Sequence, residues 1–208
     1  MWNSTPLTCG RPTASTAGDG CGTYLPWGPF AGFDEYLAYL RIVTPKEDPL
    51  VHAIIDTDTD KAVGVASYLR INADAGTIEV GGLAYSPLLQ RRPAATEAMY
   101  LIMRRVFDEF GYRRYEWKCN ALNAPSRTAA ARLGFQFEGI CRQADVVKGR
   151  NRDTAWFAII DRDWPVLRAA FERWLDPSNF DATGRQRVSL SSLTCELRES
   201  GNSRGFAE

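Results

Sequence analysis

Met99, Ile102, Met103, Val106, Phe107 and Phe110 recur at intervals of three and four residues, and Gly111 follows the last of them. Such a stripe gives a helix one continuous apolar face, and a glycine just past it is the usual stop, so the spacing predicts a buried helix from about Ala94 to Phe110. A face of that length must lie on something equally apolar. On either side the pattern changes: Thr77 to Tyr85 ahead of it and Arg113 to Cys119 behind it read as strands. A long amphipathic helix between two strands confines the chain to folds in which helices cover a sheet.

The remaining elements agree. Phe33, Tyr36, Leu37 and Leu40 have helical spacing after Gly32, and Val51 to Asp56 is a short β-branched run before the turn-rich segment from Asp56 to Lys61. Ala62 to Ile71 and Thr77 to Tyr85 flank the Asn72-Ala-Asp-Ala-Gly76 turn as an antiparallel hairpin. Pro125 to Leu133 reads as a short helix ended by Gly134, and Phe135 to Lys148 pairs with Asp153 to Ile160 around Gly149-Arg-Asn151. A last helix begins at Asp163 and turns Leu167, Ala170, Phe171 and Trp174 inward. The order predicts a mixed α/β domain, a twisted sheet flanked by helices.

At 208 residues and 45% hydrophobic side chains, the chain suffices for one such domain. Residues 1–22 and 176–208 are rich in small and polar groups, a composition that cannot offset ordering entropy unless it docks elsewhere. They read as a flexible N-terminal tail and a C-terminal extension around a domain over residues 23–175.

Lysine plus arginine and aspartate plus glutamate number 25 each, so no global field recruits nucleic acid or an anionic membrane. No apolar segment approaches the roughly 18 residues needed to span a bilayer. The N-terminal stretch lacks the basic and apolar blocks of a secretory signal. Cys9, Cys21, Cys119, Cys141 and Cys195 are odd in number and scattered, which favours a reducing compartment. A soluble, cytoplasmic protein is expected, and without a spaced His/Cys cluster no metal site.

Function must then come from a site. The segment from Ser86 to Ala98 joins a strand to the start of the long helix, where unpaired backbone N–H groups and the positive end of the helix dipole favour an anion. Ala94 and Ala95 permit close backbone approach, and Gln90, Arg91 and Arg92 carry donors and charge. Pro93 withholds one N–H.

Gln90-Arg-Arg-Pro-Ala-Ala95 resembles the acyl-CoA loop of the GNAT acyltransferases, Gln/Arg-x-x-Gly-x-Gly/Ala, with Pro93 at the middle glycine. Further on, Asn123-Ala-Pro-Ser126 followed by Leu133-Gly-Phe135 and Glu138-Gly139 is similar to the corresponding block of Rim-type N-acetyltransferases, which act on ribosomal-protein N-termini. The resemblance covers roughly residues 23–175. It implies the GNAT fold, with a mostly antiparallel central sheet, acetyl-CoA as cosubstrate, and diphosphate contacts shared among Gln90, Arg91, Arg92, Ala94, Ala95 and Thr96. It also places the pantetheine arm along the strand ending in Leu83, Ala84 and Tyr85, and Asn123 and Ser126 against the cofactor. A homodimer is compatible with it.

Transfer of an acyl group from a thioester to an amine needs a neutral nucleophile, donors for the carbonyl oxygen and a proton for the departing thiolate. Glu79 is the candidate base, with Glu116 one strand later as its rival. Gly81 and Gly82 suggest a bulge or a close backbone approach beside Glu79. Ser126 is the candidate acid, in place of the tyrosine that many GNAT enzymes carry near this position. Tyr24, Trp27 and Phe30 could wall the acceptor pocket. The expected reaction is acetyl transfer to a primary amine of a small molecule. The alternatives are a protein N-terminal acetyltransferase and a CoA-binding module that has lost its chemistry.

Overall fold

The structure, a computed structural model, describes residues 24–195. Helix α1 (Phe33–Val43) leads into β1 (Leu50–Asp56), β2 (Lys61–Asn72) and β3 (Thr77–Tyr85), then α2 (Pro93–Arg104). β4 (Arg114–Asn120), α3 (Ala124–Arg132), β5 (Gln136–Val147), β6 (Arg150–Ile160) and α4 (Trp164–Leu175) follow. The six strands form one sheet in the order β1-β2-β3-β4-β6-β5. All neighbours are antiparallel except β3 and β4, the two strands on either side of α2. The order of elements predicts a mixed α/β domain, and the mostly antiparallel sheet is the one that the family resemblance implies.

The stripe on α2 behaves as its spacing requires until the last turn. Met99, Tyr100 and Met103 are buried, but Arg105–Glu109 widens into a π turn, with Phe110 N–H donating to Arg105 O at 3.0 Å. The wider turn keeps both Val106 and Phe107 in the core and leaves Phe110 at the surface, edge-on to Tyr68. A uniform 3.6-residue reading of the stripe therefore assigns Phe110 to the wrong environment.

α4 packs across α2. Phe171 stacks on Tyr100 with ring centroids 5.6 Å apart, and Trp164 on Phe107 at 5.2 Å. Two polar ties fix the pair: Tyr100 Oη–H donates to Glu172 at 2.9 Å, and Trp164 Nε1–H to Asp108 at 2.6 Å. Beneath these helices, one face of the sheet presents Tyr68, Ile78, Val80, Tyr115, Trp117, Phe157 and Ile159, all buried. Full burial of one such side chain contributes about 1.5–3 kcal/mol.

The segment after α4 also docks. Asn179 is buried; its Nδ2 donates to the carbonyls of Trp174 and Val188, and its Oδ1 accepts from Val188 N–H. A helical turn over residues 190–195 then inserts Leu190 and Leu193 into the core. Composition made 176–208 look like a tail, but two leucines three residues apart and one buried amide hold its first twenty residues against α4. The N-terminal tail reading, residues 1–22, and residues 196–208 lie outside the described residues.

Candidate active site

β3 and β4 separate partway along their length. Their parallel pairing runs from Thr77 and Arg114 to Val80 and Trp117, after which β3 continues to Tyr85 against β2 alone. From Gly81 onward its other edge faces a cleft. The glycine pair sits where the split begins. Gly82 has φ +60° at a register slip between β2 and β3, a conformation natural to glycine. At Gly81 a Cβ would lie 2.4 Å from Leu69 Cδ1 and 3.6 Å from Glu79 Oε1, so a side chain there would press on Leu69 while touching the carboxylate. The expected bulge is present, and Leu83, Ala84 and Tyr85 follow it along the open edge.

Beyond Tyr85 the chain turns sharply into α2. Leu89 N–H and Gln90 N–H both donate to Ser86 O, Arg91 takes a left-handed φ of 60°, and Arg92 caps the helix with Pro93 as its first residue. Ala94 follows Pro93 at the helix start, where a backbone N–H has no intrahelical acceptor. Arg91 and Arg92 are exposed beside it. Three of the expected phosphate contacts are otherwise engaged, the first being Ala95, whose backbone N–H donates to Arg92 O at 3.1 Å. Gln90 Nε2–H donates to Tyr85 O at 2.9 Å and fastens the loop to the strand. Thr96 is buried beneath the loop, and its hydroxyl accepts from Arg132 at 3.0 Å.

Asn123 and Ser126 open α3 across the cleft. The Asn123 carbonyl oxygen caps the helix by accepting from Ser126 N–H at 3.2 Å, so its amide nitrogen is its outward polar group. Ser126 Oγ accepts from Trp117 Nε1–H at 3.0 Å and lies within bonding reach of the buried Cys119 thiol. The two residues are thus helix-entry residues by geometry, and Ser126 keeps a hydroxyl proton to donate.

Glu79 is only 4% exposed at its side chain. Its Oε2 accepts from Lys118 Nζ at 3.0 Å and from Arg70 NH1 at 2.6 Å. Lys118 in turn bonds Glu116 at 2.7 Å and lies over the Trp156 ring, 3.9 Å from its centroid. Arg114 links Glu116 at 2.7 Å to Glu138 on β5. Charges therefore alternate across the sheet on the face opposite the aromatic core. The Glu79–Lys118 pair spans β3 and β4 where they part. For Glu116, burial works against the charged form, but hydrogen bonds from Lys118 and Arg114 together outweigh it and lower the carboxyl below its ordinary value. Glu79 and Glu116 are thus each held between two cations, and they share Lys118.

Tyr24 Oη–H donates to Leu122 O at 3.4 Å, which brings the residues before α1 to the loop bearing Asn123. Trp27 and Phe30 form one aromatic group with Tyr36 and Tyr39, centroids 5.3 to 5.9 Å apart. The sequence reading did not single out Lys118 or Arg70, and Trp156, a strand residue expected in the core, lies instead half-buried under Lys118 on the charged face. Lys118 shares a face with Glu116 by simple alternation, and that signal could have found it. Among the described residues, no group of three His, Cys, Asp or Glu side chains could hold a metal ion, and no helix is long and apolar enough to cross a membrane.

Comparison with known proteins agrees with this geometry. The chain is 46% identical to a GCN5-related N-acetyltransferase from Brucella melitensis whose crystal structure superposes with a TM-score of 0.84, over 88% of this chain and 82% of that one. It is 29% identical over 116 residues to the uncharacterized N-acetyltransferase p20 of Bacillus licheniformis, a match covering 54% of this chain and 62%, under two thirds, of the Bacillus protein. The profile of the acetyltransferase (GNAT) domain matches residues 19–136. With the split strands, the helix start beside them and more than half of its length within that profile, the chain belongs to the GNAT acetyltransferase family.

Proposed function

We propose that the chain transfers acetyl from acetyl-CoA directly to a primary amine of a small molecule, with Glu79 as base and Ser126 as acid. The observation that carries this reading is a buried carboxylate beside a side-chain-free stretch of strand, at the point where β3 and β4 part. The residues suit CoA. The open edge of Leu83, Ala84 and Tyr85 can pair with the pantetheine amides as an added strand would. The helix start at Ala94 and Ala95, with Arg91 and Arg92 beside it, suits a diphosphate. Gln90 supports this loop from behind, and Thr96 contributes through its backbone.

Acetyl-CoA supplies the acyl group as an activated thioester. Glu79 takes the proton of the incoming amine, directly or through a water. Backbone N–H groups at the open edge stabilise charge on the carbonyl oxygen. Ser126 gives its hydroxyl proton to the departing thiolate, itself a stable leaving group with a thiol pKa of about 8.5, while a proton relayed through water replaces the one it gives. Tyr24, Trp27 and Phe30 wall the acceptor side. Among the described residues Cys119, Cys141 and Cys195 are free, which suits a reducing, cytoplasmic setting.

The Rim-type resemblance of Asn123 to Gly139 supports a second reading, in which the acceptor is a protein N-terminus. Acetyl-CoA turnover against pooled small amines and peptides separates the two. Glu79→Gln is expected to lower kcat by about 10²–10⁴-fold, and Ser126→Ala by less, the usual range for a positioned acid or base. Full kcat in both variants would remove these roles while leaving the fold intact.

A further inference from the structure

Alternation along β2 assigns Arg70 to the wrong face. Tyr68 is buried in the aromatic core, and Leu69 pairs with Glu79 and shares its side, so Arg70 should return to the face of Tyr68. Instead Arg70 has φ +49°, at the register slip between Leu69 and Asn72. Asp48 holds the bulge, its two carboxylate oxygens accepting from Arg70 N–H and Ile71 N–H, both at 3.1 Å. The bulge re-aims the side chain so that NH1 reaches Glu79. A left-handed arginine is strained by about 1–2 kcal/mol, and the fold sustains that strain to bring a guanidinium onto this carboxylate.

The two cations on Glu79 are unlike. Lys118 is 9% exposed and is also held by Glu116 and by the face of Trp156. Arg70 is 64% exposed, and among the described residues Glu79 is the one carboxylate that its guanidinium bonds. One cation is built in; the other sits between Glu79 and solvent, in the weak, exposed form of an ion pair.

We propose that Arg70 is a displaceable lock, occupying on Glu79 the place that the ammonium group of the acceptor takes during turnover. The proposal rests on Glu79 being the acceptor-side base. A primary alkylammonium carries the same charge on a thinner stem and can exchange with the guanidinium, whereas a neutral hydroxyl acceptor has no charge with which to do so. Once seated, the ammonium gives a proton to Glu79 and the neutral amine attacks. The N–C bond forms as the C–S bond breaks, the electron pair stays on sulfur, and Ser126 protonates it. Water carries the Glu79 proton to solvent and relays the second N–H proton, lost as the amide forms, to the Ser126 oxygen, so one proton reaches solvent per turnover. The site thereby selects cationic amines over alcohols.

The test uses Arg70→Ala, which keeps the backbone strain, and Arg70→Gly, which removes it and guards against misfolding. Acetyl transfer to 2-phenylethylamine and to 1,4-diaminobutane is followed with acetyl-CoA saturating, alongside binding of propylammonium and methylguanidinium by saturation-transfer NMR. Loss of an exposed ion-pair arm predicts an amine KM and a propylammonium Kd lower by about two- to five-fold, with kcat held within about two-fold. Methylguanidinium, a soluble stand-in for the lost side chain, should compete with the amine more strongly in both variants than in the wild type. An unchanged or raised propylammonium Kd in both variants overturns the lock, and so does a large loss of kcat. Glu79→Gln assayed in parallel tests the base separately: if it keeps full kcat, the base reading fails whatever the Arg70 variants do.

Discussion

The two faces of the same strands divide the work. On β3 and β4, Ile78, Val80, Tyr115 and Trp117 point under α2 and α4 and are nearly inaccessible, whereas Glu79, Glu116 and Lys118, one residue away in each case, form a charged row on the other side. A strand period of two lets one seven-residue segment serve both purposes without compromise. The apolar face gains from every atom removed from water. The charged face gains little from burial, because desolvation offsets much of the attraction within each pair. Stability is therefore expected to reside on the apolar face and the proposed base on the charged one, and substitutions can break that division.

The largest effect belongs to the core face. Phe171 is fully buried and stacks on Tyr100, so Phe171→Ala should destabilise by about 3–5 kcal/mol, seen as a fall in the urea midpoint. Per folded molecule, kcat should stay close to that of the wild type. A collapse of kcat in the folded fraction would show that the faces are coupled and the division false.

Gly81→Ala sits on the boundary. Its new methyl would press Leu69 and approach Glu79, an overpacking of about 1–3 kcal/mol. Here kcat should fall by more than the stability loss explains, because the intruding atom stands beside the carboxylate. Leu69 is met at the far end of its side chain, so Leu69→Ala in the same chain should restore most of the stability. Restored stability with kcat still depressed sharpens the comparison; full recovery of both would make Gly81 a packing residue only.

Much of this face was legible in the sequence. Two glycines in a β-branched run announced the bulge, Asn123 three residues before Ser126 announced a helix entry, and Glu79 and Glu116 stood out as strand carboxylates. The ion pairs were not legible, because they depend on register. Glu79 meets Lys118 only if β3 and β4 run parallel with Val80 opposite Trp117, a long-range pairing that local patterns do not encode. Arg70 was hidden for a different reason: a single left-handed residue reverses the face that alternation assigns, and nothing in Leu69-Arg70-Ile71 signals it. Gln90 and Thr96 were expected to face phosphate, but the fold engages both side chains first: Gln90 donates to Tyr85 O, and the buried Thr96 hydroxyl accepts from Arg132. The β5–β6 turn is tighter than the Gly149-Arg-Asn151 reading, since Val147 pairs directly with Arg150.

The smallest effect probes the charged row itself. Glu116→Gln removes one carboxylate, yet Lys118 keeps Glu79 and Arg114 keeps Glu138, so neither cation is stranded and the loss at neutral pH should be about 1 kcal/mol. Its pH dependence has a definite sign. The Glu116 carboxyl in the folded chain lies below its ordinary value, because the bonds from Lys118 and Arg114 outweigh the burial that opposes them. A carboxyl lowered on folding stabilises fully above its unfolded value, about 4.3, and loses that contribution as the pH falls through the lower folded value. The difference in urea midpoint between wild type and Glu116→Gln should therefore be flat from neutrality down to about pH 4.3 and close below it. A gap that persists or widens in acid would mean that Glu116 acts through packing rather than charge. The row would then belong with the stabilising face, and the division between the two sides of the sheet would fail where its contrast is finest.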